Sequence, residues 1–219
     1  MENIEAAIFD LDGTILDSMW FWGKIDDMFL TSRGISPIPE DYMLEIAHLG
    51  AYDTAVYTIS RFGLDETPEA LIAEWQEMAI DFYTHEAKLK EYAEEYLLAL
   101  KGQGIKLALA TANDEELYLP LLKRTGLDKL FDLVVDVNEV ERKKGFPDIY
   151  LLACERMGVS PGKSVVFEDI YLGITGAKAG GFRTVGVYDE TSARDEKIIK
   201  ETADRFIYSF KELLCPLAV

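Results

Sequence analysis

The chain reads as an α/β protein, a doubly wound parallel sheet with a small α-helical domain inserted after the first strand. Three observations predict this. Short apolar and β-branched runs alternate with helical patterns through the C-terminal part of the chain, as parallel strands with crossover helices do. From Ser18 to about Lys88, by contrast, the pattern is helical and nothing stays a strand for long. A lone strand over residues 4–9 precedes that stretch, so the helical residues interrupt the sheet rather than precede it. The predicted domains are an α/β core, residues 1–16 and 90–219, and a helical domain, residues 17–89.

Taken in order, residues 4–9 form a buried strand because they end in an unbroken apolar run. Trp20, Lys24, Asp27 and Met28 begin a first helix at helical spacing, and residues 41–62 predict a second. Thr67 followed by Pro68 opens a third, which runs through Trp75, Ala79 and Phe82; proline suits a first helical turn because its missing N–H has no partner there. Strands are then expected at 105–111, 133–136, 164–167 and 183–187, with a last one at 206–208. Helices fit 91–101, 115–125, 148–157, 173–179 and 193–201.

Composition excludes several functions. With 219 residues, 49% of them hydrophobic, the chain can bury a sizeable core. No run approaches the roughly 20 apolar residues of a membrane span, which predicts no membrane partner, no leader and a cytoplasmic location. Cys154 and Cys215 form neither a scaffold nor a metal-ligand spacing, which fits a reducing compartment. A net charge of −18 repels a nucleic-acid backbone. The expected partner is a small molecule, and the expected state is a monomer or weak homodimer.

The chemistry concentrates at predicted strand ends, where ligands gather in such sheets. Asp10 and Asp12 leave the first strand one residue apart and so point to one side, a like-charge pair that a cation or a retained proton would relieve. Gly13 follows and lets the chain turn sharply. The strand at 105–111 ends on Thr111-Ala112-Asn113, a hydroxyl and backbone N–H groups before a helix start, suited to an anion. The strand at 164–167 is followed by a second acidic pair, Glu168-Asp169. Lys143 and Lys144 stand just before the helix start at Pro147-Asp148. Carboxylates at two strand tips can hold Mg²⁺, a lysine can neutralise phosphate, and a carboxylate can then attack phosphorus.

With these motifs in this order, the chain resembles the haloacid dehalogenase superfamily of phosphohydrolases, in particular its beta-phosphoglucomutase and phosphoglycolate phosphatase-like members with a helical cap after the first strand. Asp10-Leu-Asp-Gly-Thr14 looks like the first motif, Thr111 the second, Lys144 the third, and Glu168-Asp169 with Gly173-Ile174 and Ala177–Gly180 the fourth. The resemblance implies that Asp10 is the nucleophile, forming an aspartyl phosphate, and that Asp12 is the general acid and then the base. It implies Mg²⁺ held by the Asp10 side chain, the Asp12 backbone carbonyl and Asp169, with Glu168 bound to it directly or through a neighbour. Thr111, the Ala112 N–H, Asn113 and Lys144 would bind phosphate. The spacing of Lys144 to Asp148 matches the family's third motif better than that of Lys143, although Gly145 replaces the usual proline and Ile170 a common serine.

The insert bears on the substrate. Beta-phosphoglucomutases of this family carry a histidine where this chain has Trp22, and basic groups where it has His48-Leu49-Gly50-Ala51-Tyr52-Asp53. A mutase must grip a bisphosphate, so these departures favour hydrolysis of a sugar phosphate or nucleotide, with a phosphomutase and a non-catalytic phosphate-binding module as the alternatives. Trp20, Phe21 and Trp22 either face the active-site mouth or pack the cap; Asp17 reads as a cap or turn residue, and His48 and His85 as ordinary side chains.

Overall fold

The computed structural model describes residues 4–46 and 51–214. In chain order the elements are β1 (Ala6–Phe9), β2 (Leu16–Asp17), α1 (Met19–Ser32), α2 (Glu40–Ile46), α3 (Ala51–Phe62), α4 (Pro68–His85), β3 (Lys88–Leu89) and α5 (Ala93–Gly102). There follow β4 (Lys106–Thr111), α6 (Glu115–Thr125), β5 (Leu133–Asp136), α7 (Asp148–Met157), β6 (Ser164–Glu168), α8 (Tyr171–Ala179), β7 (Arg183–Val187), α9 (Glu196–Thr202), β8 (Arg205–Ile207) and α10 (Lys211–Leu214).

Six strands form one parallel sheet in the order β5-β4-β1-β6-β7-β8. The predicted α/β fold class is therefore the observed one. Both faces of β1 are buried. Ile8 and Val166 on one face pack with Ala108, Val135, Ile149, Tyr150, Ala153 and Phe182. On the other, Phe9 stacks on Phe167 with ring centres 4.3 Å apart, and the rings of Tyr96, Phe131 and Phe210 close around them. Unbroken apolar strands follow from this two-sided burial. β1 pairs with β4 on one side and β6 on the other, so the winding reverses there and the carboxyl ends of these three strands meet at one crevice.

The chain divides into two compact units, one comprising residues up to Met19 and from Ala87 onward, the other Trp20–Glu86. The link to the helical unit is a short antiparallel ribbon, β2 with β3, pairing Leu16 with Leu89 and Asp17 with Lys88. Asp17 thus belongs to a strand rather than to a cap or turn, because its partner lies 71 positions later, beyond the reach of local pattern.

Inside the helical unit, α1 buries Phe21, Ile25, Phe29 and Leu30, and α4 buries Leu71, Trp75, Ala79, Phe82 and Tyr83. Phe21 stacks on Phe82 at 3.7 Å and Phe29 meets Trp75 edge-on at 5.4 Å. Thr67 caps α4, accepting from the Ala70 N–H at 3.3 Å, with Pro68 in the first turn as expected. The helix expected over 41–62 is seen as α2 and α3, and residues 47–50, with His48, lie outside the described residues. The one expected over 193–201 begins as a 3₁₀ turn, Glu190–Asp195, before α9.

The helical unit also holds a titrating group. Tyr42 is fully buried, with its hydroxyl 2.9 Å from Thr58 Oγ1 and hydrogen-bonded to Asp26. Burial, partly offset by the Tyr42 hydrogen bond, pushes the Asp26 carboxyl up to about 6. A raised carboxyl favours the folded state in its protonated form, so this contribution is complete near pH 4 and is lost as pH rises through about 6. Asp26→Asn is expected to match the parent in thermal unfolding near pH 4 and to exceed it by about 1–2 kcal/mol above pH 7. A difference that does not grow with pH would refute this.

Candidate active site

Asp10 follows β1 directly, and its N–H donates to Phe167 O at 3.0 Å, so the ladder with β6 extends to the acid itself. Asp169 follows β6 in the same way. The carboxylates of Asp10, Glu168 and Asp169 converge, each offering an oxygen within 4.8 Å of the others, and all three are buried. Lys144 enters among them. Its ammonium donates to Asp10 Oδ1 and pairs with Glu168 Oε1 at 2.7 Å. The neighbouring Lys143 is exposed.

Glycines make this convergence possible. A Cβ on Gly13, whose φ is +78°, would stand 2.7 Å from Asp169 Cγ, so only glycine serves both the turn and the approach. On α8, a Cβ on Gly173 would collide with the Glu168 carboxylate. One turn on, a Cβ on Gly176 would stand 2.9 Å from Phe146 O. Gly173 and Gly176 share a helix face, which lets α8 close on the second acidic pair and on the Lys144 loop together. In that loop Gly145 takes φ +105°, a conformation closed to the proline usual at this position in the family.

The electrostatics are unbalanced. At about 5 Å and an effective dielectric near 20, two like charges repel by roughly 3 kcal/mol, and three carboxylates make three such pairs against one lysine. Burial, eased by Lys144 but worsened by Asp10, raises the Glu168 carboxyl to about 7. Burial, then Asp10 and Glu168, raises Asp169 well above the ordinary carboxylate range. Burial opposes the charge on Lys144, but Asp10 and Glu168 together hold its ammonium above the usual lysine value. Two oxygens in this cluster, Glu168 Oε2 and Asp169 Oδ2, are buried without a hydrogen-bond partner. Hard oxygen donors in excess negative charge, with acceptors left over, fit a divalent cation such as Mg²⁺.

Asp12 is turned differently. Its Oδ1 accepts from Ser18 Oγ and its Oδ2 from Asn113 Nδ2, both at 2.5 Å, so its carboxylate stands outside the three-acid cluster. Thr111, at the end of β4, is fully buried; its hydroxyl accepts the Asn113 N–H at 3.1 Å and keeps its own proton to donate. Ala112 is exposed beside it. The Asn113 side-chain amide donates to the Asp12 carboxylate.

Three contacts had no role in the sequence reading. Thr14 Oγ1 donates to Asp169 Oδ1 at 3.3 Å, Ser18 holds Asp12, and the Tyr150 hydroxyl donates to Glu168 Oε1 at 2.7 Å. The signal for Tyr150 was a tyrosine at an inward position of a predicted helix, since a buried phenol needs a partner.

A family model described as haloacid dehalogenase-like hydrolase matches residues 7–187. A Phosphorylated carbohydrates phosphatase from Thermotoga maritima is 33% identical over 96% of this chain and 97% of its own. A Phosphoglycolate phosphatase from Escherichia coli K12 is 29% identical over 85% of this chain and 82% of its own. Among solved structures, one from Thermotoga maritima, provisionally described as a beta-phosphoglucomutase, superposes with a TM-score of 0.81 at 29% identity, covering 93% of this chain and 94% of that one. CbbY from Rhodobacter sphaeroides in complex with phosphate shares the fold, with a TM-score of 0.79 at 24% identity over 96% of both chains. The match spans all four motif regions, from the acids after β1 to the glycines of α8, and the chain belongs to the haloacid dehalogenase-like hydrolase family.

Proposed function

We propose that the protein is a Mg²⁺-dependent phosphatase that hydrolyses a small phosphomonoester, a sugar phosphate or a nucleotide, through an aspartyl phosphate. The observation that carries this reading is the buried trio Asp10, Glu168 and Asp169 around a single lysine. Asp10, Asp169 and the Asp12 carbonyl would hold the cation, with Glu168 beside it. Bound there, Mg²⁺ supplies Lewis-acid withdrawal of charge from the phosphoryl oxygens.

The chain's own groups do the rest. Lys144 and the Thr111 hydroxyl bind the phosphoryl oxygens, with the Ala112 N–H. An Asp10 carboxylate oxygen attacks phosphorus; the bond from phosphorus to the ester oxygen breaks, and Asp12 gives that oxygen its proton. Water then attacks phosphorus, Asp12 takes its proton back, and the phosphorus–Asp10 bond breaks to release phosphate. Ser18 and Asn113 aim the Asp12 carboxyl between these steps.

Hydrolysis is favoured over phosphomutation by the charge of the helical unit, which we read as a cap. Arg33 is held by Glu66 and Glu74, each at 2.6 Å, and Arg61 by Asp41 at 2.7 Å. Among the described residues this commits both arginines of the unit to acids and leaves Lys24, its ammonium 5.7 Å from the Trp20 ring centre, as the one lysine of the unit. Trp20, Phe21 and Phe82 form a contiguous aromatic cluster, though Trp20 remains 49% exposed. We further read the protein as cytoplasmic and as a monomer or weak homodimer. No helix among the described residues is long and apolar enough to cross a membrane.

Asp10→Asn is expected to lower kcat by about 10³-fold or more without changing circular dichroism, since it removes the attacking oxygen's charge. Undiminished turnover would overturn the mechanism. Chelation should abolish phosphate release from a panel of sugar phosphates, nucleotides and phosphoglycolate, and Mg²⁺ should restore it. Conversion of a hexose 1-phosphate to its isomer with a trace of bisphosphate, without free phosphate, would instead favour the mutase.

A further inference from the structure

Tyr150 lies on α7 with no exposed surface. Its ring is fixed by the core formed with Ile8, Val166, Ala153 and Phe182, the last meeting it edge-on at 6.0 Å. The hydroxyl is therefore a rigid donor rather than a mobile one. It gives its proton to Glu168 Oε1 at 2.7 Å, and that same oxygen takes Lys144 Nζ at 2.7 Å. Both donors come from one stretch of chain, the third-motif loop and the helix it opens. The other oxygen, Oε2, is buried without a hydrogen-bond partner, against the bare face of Gly173.

A carboxylate on two torsions could turn to meet Lys144 in several ways. Two donors converging on Oε1 from different directions leave it one orientation. That orientation decides two quantities at once: how the Lys144 ammonium is shared between Glu168 and Asp10, and which oxygen of Glu168 remains for a cation.

We propose that Tyr150 is a positioning residue of the reaction, its hydroxyl fixing the Glu168 carboxylate so that Oε1 shares Lys144 with Asp10 while Oε2 is kept for the divalent cation. This rests on the Mg²⁺-dependent reading above. Without the hydroxyl, Glu168 is free to rotate onto Lys144 with either oxygen and draws the ammonium away from Asp10. Partners that orient a metal site's carboxylates in this way typically change metal affinity by about 10–100-fold when removed.

The test compares the full-length parent with Tyr150→Phe, and with Tyr150→Met as a second variant that refills the volume without a donor. Mg²⁺ alone is titrated calorimetrically into each metal-free protein, and kcat and KM are measured across Mg²⁺ concentrations. The expected result is a Mg²⁺ Kd raised about tenfold, kcat lowered at limiting Mg²⁺ and recovered in excess, and an ester KM within about twofold of the parent. In a Glu168→Gln background, Tyr150→Phe should add no further loss of Mg²⁺ affinity, because its effect passes through that carboxylate. Parent-like Mg²⁺ affinity in both variants, or an equal loss in the Glu168→Gln background, overturns the inference and leaves the phosphatase reading intact. A parent protein that neither binds Mg²⁺ nor releases phosphate overturns both.

Discussion

Three buried carboxylates held against one lysine are a cost that folding must bear, and much of the surrounding architecture is arranged to bear it. Asp10 and the Glu168-Asp169 pair leave adjacent strands, β1 and β6, at the same level of the sheet. Parallel pairing in that register brings the acids together whatever their mutual repulsion, because the strands are clamped by Phe9 on Phe167 and by Ile8 and Val166 on opposite faces. Lys144 offsets part of the excess charge, and the polar donors Thr14 and Tyr150 relieve one oxygen each. In our reading the remaining imbalance suits the site to a cation and to a phosphoryl group whose charge that cation can share.

Small residues convert this electrostatic arrangement into geometry. Gly13, Gly173 and Gly176 each stand where a methyl group would meet a carboxylate of the buried cluster or the backbone of the lysine loop. The first shapes the turn after β1, and the other two let α8 approach the loop that carries Lys144. The family resemblance is therefore as much a pattern of missing side chains as of present ones. Gly145 takes φ +105° where the family's usual proline could not, and Gly176 lies against this loop with no side chain between.

The two acids of the first motif have separate surroundings despite their proximity. Asp10 faces Lys144 and the other acids, whereas both oxygens of Asp12 face neutral donors, Ser18 and Asn113. Separation of this kind suits one carboxylate to attack and the other to move protons. Ser18 lies at the end of the core unit, next to the ribbon through which the chain leaves for the helical unit and returns.

The alternation of strands and helices was legible in the chain, as were the carboxylates of Asp10, Glu168 and Asp169 and the Lys144 ammonium that the structure brings together, because periodicity and spacing are local properties. Strands 133–136 and 183–187 and the helices over 115–125 and 148–157 stand where the pattern put them. What local pattern could not carry was pairing at a distance. The β2–β3 ribbon joins short segments with no periodicity of their own, and Asp17 was misread for that reason. The Asn113 amide turns to Asp12, 101 positions earlier. The Tyr150 hydroxyl reaches Glu168, 18 positions later, a pairing that no local pattern announces. Spacing along the chain determined which groups reach the crevice; only the tertiary structure decided which oxygen each donor takes, because a hydrogen bond depends on directions set by packing between elements that are remote in sequence.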